Sequence, residues 1–192
     1  MGIIVRLSEP PLVSLAMNCL RRLFEGREMP DDQTKVKRVY WDSNVFLSAI
    51  NASPDRLPII EAVLDDCDNG AVEVHTSVLS IAEVAFAESE QHRKQLSEEI
   101  EAKIEKLWVP PSPIKLHEIS QHIANEAKAL MRQAMLKGWA LKPLDAIHLA
   151  TAKRRQVDEF HTYDIAKLAK LSAITGYPIV QPRTDRLPFR SQ

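Results

Sequence analysis

From Arg38 onward, short apolar runs of strand length alternate with segments of helical periodicity, and that alternation leaves little besides an α/β fold with parallel strands. The strand candidates are 38–42, 72–76, a short edge segment at 114–116, 158–163, and a last one from Pro178 to Gln181. Between them the spacing predicts helices from Ser43, over 58–68, 77–90, 91–107, 117–137, 143–156 and 165–174. Ile60, Val63, Leu64 and Cys67 share one stripe, as do Leu96, Ile100, Ile104 and Leu107. Asn69-Gly70 and Gly138 are stop signals, Pro110-Pro111 and Pro113 end the helix before them, and Pro143 suits a first helical position.

This body spans 38–181. Residues 1–37 read as an N-terminal appendage, because Pro10-Pro11 interrupts early and a polar stretch from Gly26 to Lys37 separates Leu12–Phe24 from the first strand. Residues 182–192 form a polar, prolyl tail. A length of 192 residues suits one domain with an attachment, and 45% apolar with 27% charged residues excludes a disordered chain. The net charge of −1 gives no long-range pull toward nucleic acid, although a local basic rim can still hold a phosphate backbone. Cys19 and Cys67 form no close pair, which argues against a disulfide framework or a zinc site and fits a reducing cytosol. No apolar run reaches the roughly 20 residues that span a bilayer, and Leu12 to Leu20 reads as a short amphipathic helix, so a cytoplasmic protein without membrane attachment is expected.

Four carboxylates stand at or near predicted helix starts beside apolar stretches: Asp42, Glu83, Asp145 and Asp164. Each has a structural explanation. Asp42 and Asp164 can cap helices, Ser80-Ile81-Ala82-Glu83 matches a capping box, and Asp145 suits the dipole of the helix opened by Pro143. Jointly they imply more, because parallel strands turn into their helices along one edge of the sheet, where ligands bind. Acids gathered there repel one another unless a cation compensates them. Mg2+ or Mn2+ takes oxygen ligands, so four carboxylates suit one such ion, or two with bridging. A salt bridge that already neutralises the cluster, or an acid pointing away from the others, would overturn this.

The blocks Val39-Tyr40-Trp41-Asp42-Ser43-Asn44-Val45, Thr76-Ser77 with Ile81-Ala82-Glu83-Val84, Pro143 to Ala152, and His161-Thr162-Tyr163-Asp164 together resemble the PIN-domain nucleases, a family that includes the VapC-type toxins. The block around Asp145 is the most specific of them. The resemblance implies a three-layer α/β/α sandwich around a parallel sheet, and a metal-dependent endoribonuclease that cuts RNA to leave a 5′-phosphate and a 3′-hydroxyl. Carried over by motif, Asp42, Glu83, Asp145 and Asp164 are the catalytic and metal-binding quartet, while Ser43, Asn44 and Thr162 occupy polar positions that bind carboxylate or substrate phosphate. The resemblance further implies self-pairing as a homodimer and a protein antitoxin, with the apolar positions of 43–51 and 58–68 available for such contacts. A PIN nuclease without an antitoxin and a metal-free PIN-fold binding module are the alternatives. The chain departs from the pattern in its first 37 residues and in Ile165-Ala166-Lys167 after Asp164.

His148 lies one helical turn after Asp145 and is expected to be partly buried and hydrogen-bonded. Lys137 and Lys142 flank the Asp145 loop and are placed to guide RNA, and Lys153-Arg154-Arg155 reads as a solvated basic run. His75 and His161 end strands without any ligand spacing. No phosphate-loop, dinucleotide or nucleophile-elbow motif occurs, and Asp42-Ser43-Asn44 lacks the second acid of a haloacid-dehalogenase-type phosphatase.

Overall fold

Val39, Tyr40 and Trp41 are all buried, which places the first strand where both faces of a sheet are covered. The structure, a computed structural model, describes residues 35–91 and 98–184. Nearly all of the N-terminal appendage, Leu96, and most of the C-terminal tail therefore lie outside the described residues.

Five strands, β1 (Lys37–Trp41), β2 (Val72–Ser77), β3 (Lys115–His117), β4 (Glu159–His161) and β5 (Ile179–Val180), form one sheet in the order β3-β2-β1-β4-β5. Every pairing is parallel. From β1 the chain passes through α1 (Ser43–Ile50) and α2 (Leu57–Asp68) to β2, then through α3 (Leu79–Gln91) and α4 (Glu98–Trp108) to β3. It then returns by α5 (Gln121–Leu136) and α6 (Pro143–Arg154) to β4 on the far side of β1, and reaches β5 through α7 (Ile165–Leu168), a 3-10 turn (Ala169–Leu171) and α8 (Ser172–Thr175).

The two-residue alternation of β1 divides the interior. Val39 and Trp41 pack with Val45, Phe46, Ile60, Val63, Val74, Val84 and Ile104, which come from α1 to α4 and β2. Tyr40 faces the other way and packs with residues of α5 and α6 and with Phe160 and Ile179. The result is the expected three-layer α/β/α sandwich. Val45, Phe46, Ile60 and Val63 are core, while Leu47, Ile50 and Leu64 on the same helices are only partly buried.

Three boundaries differ from expectation for local reasons. The expected helix over 117–137 begins at Gln121, because 115–117 pairs with β2 and Ser120 then caps the helix through its hydroxyl, which accepts the Ile123 amide at 3.4 Å. The expected strand over 158–163 shrinks to three residues, since Thr162 and Asp164 turn into the edge of the sheet. The expected helix over 165–174 is tightened by the 3-10 turn, which sets Leu168 and Leu171, both fully buried, on one face.

Candidate functional site

Asp42 leaves β1 at its C-terminal end and caps α1, its carboxylate accepting the Ser43 amide at 2.9 Å. Capping and clustering are therefore compatible, because the second oxygen is free to face the neighbouring strand end. That oxygen accepts the Asn44 amide and the Thr162 hydroxyl, each at 2.8 Å. Asn44 also donates to Thr162 at 2.8 Å and accepts the Tyr163 amide at 3.0 Å, so the loop after β4 is stitched to the start of α1. Ser43, Asn44 and Thr162 thus hold carboxylates in place.

Glu83 sits within α3. It does not close the expected capping box: Ser80 is buried and bonded to Thr76 at 2.7 Å, while the Glu83 carboxylate takes the Ser43 hydroxyl and, at 2.6 Å, His148 Nε2. His148 is 1% exposed, and its Nδ1 meets the Tyr40 hydroxyl at 2.8 Å. A buried Tyr40–His148–Glu83 chain therefore crosses from one core to the site. Asp145 lies in the first turn of α6, where the helix dipole favours its charge. Asp164 follows β4, and its side chain is 46% exposed.

Lys167 stands among the acids. Its ammonium contacts Asp145 Oδ2 and lies 3.7 Å from Asp164 Oδ2. Its charge also acts on Asp42 and Glu83, so all four carboxylates lie within the field of one cation. A salt bridge is thus present, yet it does not neutralise the cluster. One ammonium and one histidine stand against four carboxylates, and burial, with repulsion from Glu83, still holds the Asp42 carboxyl above its ordinary value against the pull of His148 and Thr162. Burial also pushes Glu83 up, but the His148 hydrogen bond and charge, Ser43 and Lys167 outweigh it and leave the carboxyl below its usual range. For His148, burial disfavours the charged ring, and the bond to Glu83 with the charges of Asp42, Glu83 and Asp145 overcomes it, raising the pKa.

The donor set is oxygen throughout, which suits Mg2+ or Mn2+ and not zinc. Asp145 Oδ2 is buried from water, so it needs a cation as its partner. The residues fit a divalent ion chemically. As they stand, among the described residues, no three acidic, histidine or cysteine side chains are gathered closely enough to hold one.

Two of these residues carry more than the sequence suggests. His148 is central rather than peripheral, and Lys167 enters the cleft, its sole sequence signal being the i,i+3 spacing from Asp164. Arg56, not singled out in the sequence, lays its guanidinium 4.1 Å over the Tyr163 ring at the rim beside Asp164. Lys137 lies 5.4 Å over Trp139, and Lys142 caps α6 near Asp145. Lys153–Arg155 lie at the opposite end of α6, where Lys153 pairs with Glu126 at 2.5 Å. His75 and His161 are hydrogen-bonded within the fold, to His117 at 2.7 Å and to Glu159 at 3.0 Å. No helix of the described residues is long and apolar enough to cross a membrane.

The architecture recurs in solved structures at low sequence identity. VapBC2 from Rickettsia felis, bound to a DNA fragment from its promoter, superposes with a TM-score of 0.58 at 18% identity, covering 74% of this chain and 96% of that one. FitAcB from Neisseria gonorrhoeae gives 0.54 at 16% identity, covering 75% and 97%. VapC20 of Mycobacterium tuberculosis, a toxin cleaving the sarcin–ricin loop, gives 0.51 at 13% identity, covering 71% and 94%. No curated protein matches the chain in sequence. These likenesses establish a shared fold. The sequence itself matches the PIN domain over residues 39–173, most of the body just described, and the chain accordingly belongs to the PIN domain family.

Proposed function

We propose that this protein is a Mg2+- or Mn2+-dependent endoribonuclease, the toxin of a type II toxin–antitoxin pair, working in the cytoplasm as a homodimer. The observation that carries the reading is the meeting of acids from separate segments of the chain around Lys167, whose ammonium contacts Asp145 and stands 3.7 Å from Asp164, with Asp42 and Glu83 within reach of its charge. Family membership and the kind of complex found among the structural neighbours add support.

In this mechanism Asp42, Glu83 and Asp145 would hold the divalent ion, with Asp164 completing the set. The ion supplies Lewis acidity for in-line displacement at a phosphodiester. Thr162 and Asn44 fix one oxygen of Asp42, and Ser43 and His148 fix Glu83, so the donors are oriented before an ion arrives. Arg56 on Tyr163, with Lys137 and Lys142, offers cationic contacts for the RNA backbone.

Asp42→Asn tests the site. It preserves shape and the acceptor for the Ser43 amide while removing a charge that burial already disfavours. Purified wild type and variant are incubated with total RNA, with and without Mn2+. Cleavage should fall about a hundredfold or more while thermal melting stays near wild type. Undiminished cleavage by the variant would reject the assignment. Inhibition by a small protein from an adjacent reading frame tests the antitoxin, and sedimentation of the purified chain tests self-pairing.

A further inference from the structure

Lys167 has no part in the mechanism above, yet it occupies the centre of the acidic cleft. It projects from α7 one turn after Asp164, and its side chain is one-third exposed (33%), so a path to solvent is open. Its ammonium contacts Asp145 Oδ2, the oxygen that is otherwise shielded from water, and stands 3.7 Å from Asp164. A divalent ion bound by Asp145 either shares that oxygen or takes Oδ1 of the same carboxylate, and in both cases it lies close to the ammonium. Two cations at one carboxylate repel strongly, and more so where water is excluded. The flexible four-carbon stem of lysine allows the ammonium to leave without moving the backbone.

We infer that Lys167 is a resident counter-ion that competes with the divalent metal for Asp145, so that filling the site is an exchange of ammonium for metal and Lys167 sets the metal concentration the protein requires. This rests on the metal-dependent reading given above. The exchange breaks no covalent bond: the ammonium returns to water as the ion enters.

The test uses the full chain and Mn2+ alone, with free Mn2+ followed by electron paramagnetic resonance. Lys167→Met retains the stem and removes the charge, and Lys167→Gln is a second neutral variant should the first fold poorly. Removing the competing charge should tighten Mn2+ binding about tenfold or more. Lys167→Arg, which keeps the charge, should bind no more tightly than wild type. A second readout accompanies this: without added metal Lys167→Met should melt below wild type, because Asp145 loses its counter-ion, and the same excess of Mn2+ should raise its melting temperature more than that of wild type. Wild-type affinity in folded neutral variants would overturn the competition and leave the nuclease reading standing. Absence of Mn2+ binding by wild type and variants alike would overturn the metal-dependent reading, and the inference with it.

Discussion

A histidine beside three acids illustrates how much a single side chain can organise. His148 bonds Tyr40 on one ring nitrogen, in the interior, and Glu83 on the other, where the bond is part-buried. His148→Phe keeps the ring and removes both bonds, so it should lower stability by about 2 kcal/mol or more in urea unfolding and reduce metal-dependent cleavage by loosening Glu83. A separate cluster at the other end of the sheet gives a pH prediction. The hydrogen bond from His161, with Arg183 and Lys37, holds the Glu159 carboxyl far below its usual range. A depressed carboxylate stabilises the fold above its unfolded pKa and loses that contribution as pH falls toward its folded value. The stability gap between wild type and Glu159→Gln should therefore be widest above the ordinary glutamate value of 4.5 and shrink below it, as denaturant melts at stepped pH would show. Asp42 and Asp164 stand out in the sequence because a carboxylate that follows an apolar strand is conspicuous, whereas Glu83 and Asp145, which lie within helices, stand out through their motif blocks. The Tyr40–His148–Glu83 chain and the reach of Lys167 were not legible there, since spacing along a chain does not say which distant side chains turn toward each other.

Among the elements, α4 carries the clearest amphipathic stripe: among the described residues Ile104 is buried in the core, Ile100 and Leu107 are partly buried, and Glu105 is exposed. Ile104→Ala should cost about 2–4 kcal/mol, and Glu105→Ala should fall within about 0.5 kcal/mol of wild type, both by urea denaturation. Helices with a strong apolar period were readable to within a few residues, and so was the edge strand after Pro113. The segment from 165 to 175 was readable only as helical. Its break into α7, a 3-10 turn and α8 follows from the need to bury Leu168 and Leu171 together, a demand set by the sheet beneath and not by local preference. The shortening of β4 has a similar origin, because Thr162 is recruited by Asp42 and Asn44 from α1's start.

For the molecule as a whole, the sheet order reverses beside β1, with β2 on one side and β4 on the other, and ligands bind at such a reversal. Alternating strands and helices announced the layers, but not which strands would be neighbours. Lys35–Gln192 forms a compact unit that contains both core clusters of the described residues, so a chain beginning at Lys35 should unfold in one cooperative transition, with a circular dichroism spectrum of an α/β protein. Lys35 would keep its 2.6 Å pairing with Asp158.

The strand that finishes the cleft, β4, is supplied very late relative to β1, and the bond from Thr162 to Asp42 joins positions 120 residues apart. A ribosome making this chain therefore releases the first acid long before anything exists to hold it in register. Until the segment from 159 to 164 has emerged, the nascent polypeptide carries scattered carboxylates, so on the nuclease reading proposed above an unfinished product has no assembled site with which to cut.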